Sequence, residues 1–435
     1  MAMEPHPIRL VVRDDLKRSR LTVLFRLLLA LPHLVWLAIW GYGALYLVSP
    51  IAWLLTLILG RLPEPLWRFF SPLVRYATHV YAFIFLAGNP FPGFTGRAGS
   101  YPIDLEIDPP ERQNRWKTAF RLLLAWPALV LAGVLLVLPV VGSTYDETTN
   151  QAYPYFFLTG VALTVSFLAW FVCLVLGRIP TGFRDLLAYS LRYNAQTWGY
   201  LLLVTDRYPD ADPRHPPAEL PPYRPVSVAL GDDDLRRSRL TVFFRLLLTF
   251  PHFVWLFLWS IVALVVIVVG WFATLVLGRL PLPFHRFLAA WLRYQTHVFA
   301  FVTLVGNPFP GFAGAAGSYP VDVRIDPPAR QHRLKTLFRL LLAYPANLVN
   351  SVLTAVLWLV AFFGWFVGLV LGRVPRGLRV LGAFALGYSA QTTGYLCLLT
   401  DRYPYSGPPG VDVEPEDQPE APLWPGPLRL PSPSS

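Results

Sequence analysis

The long hydrophobic stretches of this chain lack acid. From Leu21 to Gly60 there is no Asp or Glu and a single cation, Arg26; from Leu240 to Gly278 there is again no acid and a single cation, Arg245. A carboxylate proton relay of the kind many pumps use has nothing to run on there. Charge is scarce throughout, 14% of residues against about 25% in soluble domains. Cysteine is scarcer still. Cys173 and Cys397 fall at non-equivalent places, which argues against a disulfide framework or a metal knuckle. There is no P-loop, no His-Glu-x-x-His, no Gly-x-Ser-x-Gly and no dinucleotide fingerprint, so no enzyme, cofactor or metal is expected. The opening residues, MAMEPHPIRLVVRDD, are polar and have no apolar core of a cleavable leader, so the first hydrophobic stretch is expected to stay in the protein.

What the chain has is apolar length. Hydrophobic residues make up 54% and aromatics 15%, and runs of about 20 apolar residues span a bilayer. The net charge of +11 does not point to nucleic acid. The cations gather at the ends of the apolar runs, in LKRSR, LGR and LRRSR, where topology and anionic lipid headgroups explain them.

The runs repeat. RLTVLFRLLLALPHLVWLAIW at Arg20 returns as RLTVFFRLLLTFPHFVWLFLW at Arg239, and fainter copies open at Thr118 and Thr336. Leu-Gly-Arg-x-Pro closes each run, at Gly60, Gly177, Gly278 and Gly372. These features define four units, A (1–98), B (99–210), C (223–316) and D (317–404), with A like C and B like D, a linker at 211–222 and a proline-rich acidic tail at 405–435 expected to be disordered. Each unit opens with a short alternating strand: IRLVV, PIDLEID, PVSVAL or PVDVRID. Next come a basic helix start, the apolar run and a third helix of mixed polarity. Units B and D end in TDRYP; units A and C end in GNPFPGF.

As one helix, Leu21 to Gly60 would measure about 60 Å, twice a hydrocarbon core. A fold-back into a helical hairpin is therefore expected in every unit. The polar insert GSTYDETTNQAYPY of unit B marks the tip there. The fold class that follows is a mainly α-helical polytopic membrane protein of four repeats, each a strand, a transmembrane hairpin and an amphipathic helix. Lys and Arg crowd the hairpin bases and avoid the tips, which places the bases and the tail in the cytoplasm. If the third helix lies along the membrane face there are eight spans; if it crosses there are twelve. Arg68, Arg75 and His79 in A, with Arg286, Arg293 and His297 in C, favour the interface.

The grammar RLxxxFRLLLxxPH, GRxP, amphipathic helix and LLxTDRYP resembles a bacterial membrane domain of unknown function, family 4389, in four tandem copies reaching to Tyr403. The resemblance is most specific at Thr205-Asp206-Arg207-Tyr208-Pro209 and Thr400-Asp401-Arg402-Tyr403-Pro404. Units A and C depart from it with GNPFPGF; B and D depart with Ala128 and Ala346 where A and C have His33 and His252. It implies a bacterial plasma-membrane domain and no particular activity.

Several polar residues stand out. Arg26, Arg121, Arg245 and Arg339 sit about six residues inside each run. They are expected to snorkel to the headgroups, or to pair with Asp206, Asp401, Asp108 or Asp326, or to bind anionic lipid. His33 and His252 follow prolines expected to break the first helix; with His79 and His297 they are packing histidines first and a convergent metal or proton site second. Each Gly-Arg-x-Pro reads as a C-terminal cap. The function expected from all this is a non-enzymatic scaffold or lipid-interacting membrane protein. A transporter or channel built from repeats is the alternative, and a histidine-dependent membrane enzyme comes third.

Overall fold

The computed structural model describes residues 5–146, 151–214, 223–231 and 233–408. Unit A runs from strand β1 (Ile8–Val12) into α1 (Arg20–Tyr42), a π-helical turn (Gly43–Val48), α2 (Ser49–Leu59) and α3 (Glu64–Ile84). Unit B has β2 (Ile103–Ile107), the short α4 (Arg115–Ala119), α5 (Arg121–Leu135), β3 (Leu138–Asp146), β4 (Gln151–Thr159), α6 (Val161–Leu176) and α7 (Thr181–Leu201). Unit C has β5 (Val226–Leu230), α8 (Arg239–Leu277) and α9 (Leu282–Val302). Unit D has β6 (Val321–Ile325), α10 (Arg333–Leu337), α11 (Arg339–Leu371) and α12 (Arg376–Leu396).

The apolar runs do not fold back. In C the run is one helix of 39 residues, in D one of 33, and in A the helical path from Arg20 to Leu59 covers 40 residues with only the π turn to interrupt it. The reason is local. No glycine, proline or charge sits mid-run in C, where Trp259-Ser260-Ile261-Val262-Ala263 continues the helix and Ser260 Oγ donates back to Leu256 O. Pro32 and Pro251 do not break their helices either; both lie inside them. In B the polar insert forms an antiparallel β-hairpin, β3 with β4, with Leu138 opposite Thr159. Its tip, including Glu147, lies outside the described residues. The Leu163 amide bonds the Leu136 carbonyl at 3.3 Å, so α6 resumes where α5 stops. Among the described residues three helices are long and apolar enough to cross a membrane, Arg20–Leu59, Arg239–Leu277 and Arg339–Leu371, rather than eight spans.

The third helix of each unit is core, not interface. Arg75 and His79 of α3 are buried, and α7 and α12 bury most of their side chains. Each core helix runs antiparallel to its own long helix. Arg245 meets Phe301, His252 meets Tyr294, and Gly270 faces Leu280 and Phe284.

Units work in pairs. β1 pairs antiparallel with β2 (Leu10 opposite Leu105), and β5 with β6 (Val228 opposite Val323). The Arg18 amide bonds Gly177 O and the Gln113 amide bonds Gly60 O, so each long helix begins where its partner unit's ends; Arg237 to Gly372 and Gln331 to Gly278 repeat this in C and D. One core cluster crosses the pairs, joining Phe83, Leu131 and Val165 to Phe301, Leu353 and Phe384. The start of the linker is packed, with Tyr189 Oη donating to Ala211 O at 3.0 Å, and Tyr405 Oη reaches Asp185 at 3.0 Å.

Gly96 and Gly314 adopt φ of +59° and +58°, and a Cβ on either would lie 2.1 Å from a core-helix carbonyl, Pro72 O or Ala290 O. Gly96→Ala and Gly314→Ala are expected to destabilise by more than about 1 kcal/mol. Gly41→Ala, with open space around it, should stabilise by about 0.5–1 kcal/mol, the usual gain in a helix interior. Thermal unfolding in detergent measures both.

Candidate functional site

Four arginines are the most repeated polar feature. Arg26, Arg121, Arg245 and Arg339 are each 2% exposed, so they do not snorkel. Each points inward to the C-terminal end of its unit's core helix, where backbone carbonyls run out of intrahelical donors. Arg26 Nη1 donates to Phe83 O (2.7 Å) and Gly88 O (3.1 Å). Arg245 does the same to Phe301 O (2.6 Å) and Gly306 O (3.1 Å). Arg121 takes Tyr200 O (2.6 Å) and Thr205 O (3.0 Å), and Arg339 takes Tyr395 O and Thr400 O. Each guanidinium lies over the ring of the residue it caps, 4.4 to 4.6 Å from the centroid. A cation at the negative end of a helix is favourable, the more so where water is excluded.

This geometry aligns the two endings. Gly88 and Gly306 offer the carbonyl that Thr205 and Thr400 offer in TDRYP. Asn307 Oδ1 accepts from Arg245 at 3.4 Å where Asp206 and Asp401 accept from Arg121 and Arg339 at 2.9 and 3.2 Å. GNPFP and TDRYP are one structural element in two chemical versions. The neutral version leaves Arg245 with carbonyls and an amide and Arg26 with carbonyls alone, its Nη2 without a hydrogen-bond partner among the described residues; the acidic version adds an ion pair, helped by Lys117 (3.3 Å) and Lys335 (3.8 Å). Gln113 and Gln331 complete the cap in B and D. Asp108 and Asp326 are not partners; Asp108 pairs with Arg9 at 2.7 Å and Asp326 accepts from Tyr223. Arg207 donates to Pro5 O at 2.9 Å, and Arg402 is exposed.

The histidines do not converge. His33 Nδ1 lies 2.8 Å from Tyr76 Oη, with Phe94 stacked at 4.2 Å and Phe91 tilted at 4.4 Å. His252 repeats this with Tyr294, Phe312 and Phe309. Each is closed into its own unit, held by the aromatics of GNPFPGF. His79 Nε2 meets Asp104 Oδ1 at 2.8 Å and stacks on Tyr101; His297 meets Asp322 at 2.9 Å and stacks on Tyr319. Burial works to raise the Asp104 carboxyl, but His79 and the Gly99 and Leu105 amides outweigh it and hold the group below the usual carboxylate range. Burial lowers the His297 imidazole against the pull of Asp322. Arg75 flanks the first dyad beside a cavity of about 380 Å³ that Arg9 and Arg13 also line. No Ser or Cys nucleophile lines that cavity, and no group of three or more metal-ligating side chains occurs among the described residues.

Sequence reasoning named the arginines and histidines and missed most of their partners. Asp104 and Asp322 occupy the same place in PIDLEID and PVDVRID, which was the available signal. The capped carbonyls carry no side-chain signal at all.

The family model described as Domain of unknown function (DUF4389) matches four times, at residues 20–95, 153–211, 239–313 and 333–406. Together the matches cover well over half of the chain. The chain belongs to this family. Each DUF4389 match ends just past an arginine-capped core helix, so the GNPFP ending falls inside the repeat as TDRYP does. No curated protein and no solved structure matches the chain.

Asp206→Asn removes the charge from a pair whose arginine is buried. It should cost about 1.5–3 kcal/mol, as charged hydrogen bonds do. Asp108→Asn breaks a half-exposed pair and should cost about 0–1 kcal/mol. Denaturant unfolding compares the two; equal losses would mean that Asp206 is not part of the cap.

Proposed function

We propose that this protein is a non-enzymatic, membrane-embedded scaffold that interacts with lipid. The observation that carries the reading is the outer surface of the long helices. On α8 a single stripe, Val242, Arg245, Thr249, His252, Ala263, Gly270 and Thr274, is buried; Leu256, Trp259, Val266, Ile267 and Trp271 flank it half-buried, and most of the remaining side chains are apolar and exposed. A helix apolar all round belongs in hydrocarbon. At 39 residues it is about 58 Å long. To stay inside a core of about 30 Å it must tilt by about 60° from the membrane normal, beyond the usual 0–40° range. A helix at that limit would still set its ends at opposite faces; lying flatter, in the membrane plane, the long helices bring the cations at both their ends to the same, cytoplasmic, headgroup layer. This replaces the upright hairpins expected from length alone. The packed core shared by the four units lends less support to a transport path.

Nitroxides on cysteines at Leu246, Phe257, Leu264 and Val276, all exposed along α8, test it in proteoliposomes after replacement of Cys173 and Cys397. Oxygen should reach all four far better than a water-soluble nickel chelate, at similar depth. Nickel access throughout would remove the membrane reading; a deep centre with shallow ends would restore an upright span.

A further inference from the structure

Three isolated bridges between the units set like charges side by side: Lys17 opposite Arg178, Arg61 opposite Arg112, and Arg236 opposite Arg373. Directly opposed residues put their side chains on one face, about 5 Å apart, and like charges there are destabilising. Among the described residues no carboxylate pairs with any of the six. Asp15 and Asp234 turn to the backbone amides of Lys17 and Arg236; Glu111 accepts from Thr205 and Glu64 pairs with Arg68. A third cation stands beside each pair. Arg20, Arg115 and Arg239 cap Val175 O, Ile58 O and Val370 O at 2.9 to 3.0 Å. Arg279 of unit C and Arg330 of unit D flank the Gln331–Gly278 bond as Arg61 and Arg112 flank the Gln113–Gly60 bond, beside Arg333, which caps Val276 O. Around them the surface turns apolar at once, at Leu21, Leu59, Trp116, Leu240 and Leu371.

We propose that these cation pairs are clamps for the phosphodiester of anionic lipids. The inference rests on the membrane embedding argued above, and it names the headgroup chemistry and its sites. Two cations at this spacing flank one phosphate, the anion relieves their repulsion, and the acyl chains continue onto the exposed leucines.

The test uses the full chain in phosphatidylcholine vesicles containing some phosphatidylglycerol, with spin-labelled versions of each lipid. The motionally restricted fraction of labelled phosphatidylcholine reports embedding; the excess for phosphatidylglycerol reports the clamps. Arg61→Gln, Arg112→Gln, Arg236→Gln and Arg373→Gln combined should remove the part of that excess held at their two sites, about fivefold per cation at each, and leave the phosphatidylcholine signal unchanged. Arg97→Gln, Arg286→Gln, Arg324→Gln and Arg376→Gln remove as many exposed charges and should leave the excess in place. Equal losses in the two variants would overturn the clamps in favour of diffuse charge. Loss of the excess to inorganic phosphate, but not to chloride at equal ionic strength, would reassign them to free phosphate and overturn the lipid assignment. Absence of any restricted phosphatidylcholine would remove the embedding itself.

Discussion

A helix that is apolar on every side and twice as long as a bilayer core is thick gains little from its neighbours along most of its length. It has to be fixed by its ends and by one narrow stripe. In this protein the stripe carries small and polar residues, with Arg245, Thr249, His252, Gly270 and Thr274 buried on α8, and its arginine and histidine each reach a partner on the core helix. The arginine is the central match. It leaves water because the core helix beside it ends in carbonyls that need donors, and the aromatic ring under it replaces part of its hydration. Left-handed leucines at Leu86, Leu203, Leu304 and Leu398 (φ 63–65°) make the turn that presents those carbonyls. A non-glycine residue held there costs energy. Burial of the same side chain to 1–2% exposure, worth about 1.5–3 kcal/mol, offsets it.

The two kinds of ending follow from the same need. Where the loop supplies an aspartate, the arginine gains a full ion pair and the long helix carries alanine beside the core. Where it supplies asparagine or glycine, phenylalanines close over a histidine instead. His33 and His252 thus have a packing partner set that B and D lack, because Ala128 and Ala346 leave no ring to cage. Strand pairing then ties A to B and C to D, and the basic segments meet in the positions where their charges have no acid between them.

Much of this was legible before the fold. Repetition gave the four units; the Gly-Arg-x-Pro closings show the left-handed glycines expected of caps, with φ of 66–71°; the polar insert marked a break in unit B. Length misled. A run of twice the bilayer thickness suggests a turn, yet no residue near Ser260 supplies one, and a helix lying along the membrane meets the same constraint. The arginines were found and their direction was not, because a cation near a helix start can reach outward to headgroups or inward to carbonyls. The sequence shows the cation alone. His79 and Arg75 suggested an interfacial helix for the same reason: their partners, Asp104 and the Leu105 carbonyl, come from a strand far along the chain.

The unbroken long helix is the claim on which the membrane reading depends. A pulsed electron-spin distance between nitroxides at Leu240 and Leu277, both exposed at opposite ends of α8, tests it most directly. One continuous helix predicts a separation of about 55 Å. A separation near 10 Å, the spacing of packed antiparallel helices, would mean that the run folds back, and would contradict the account.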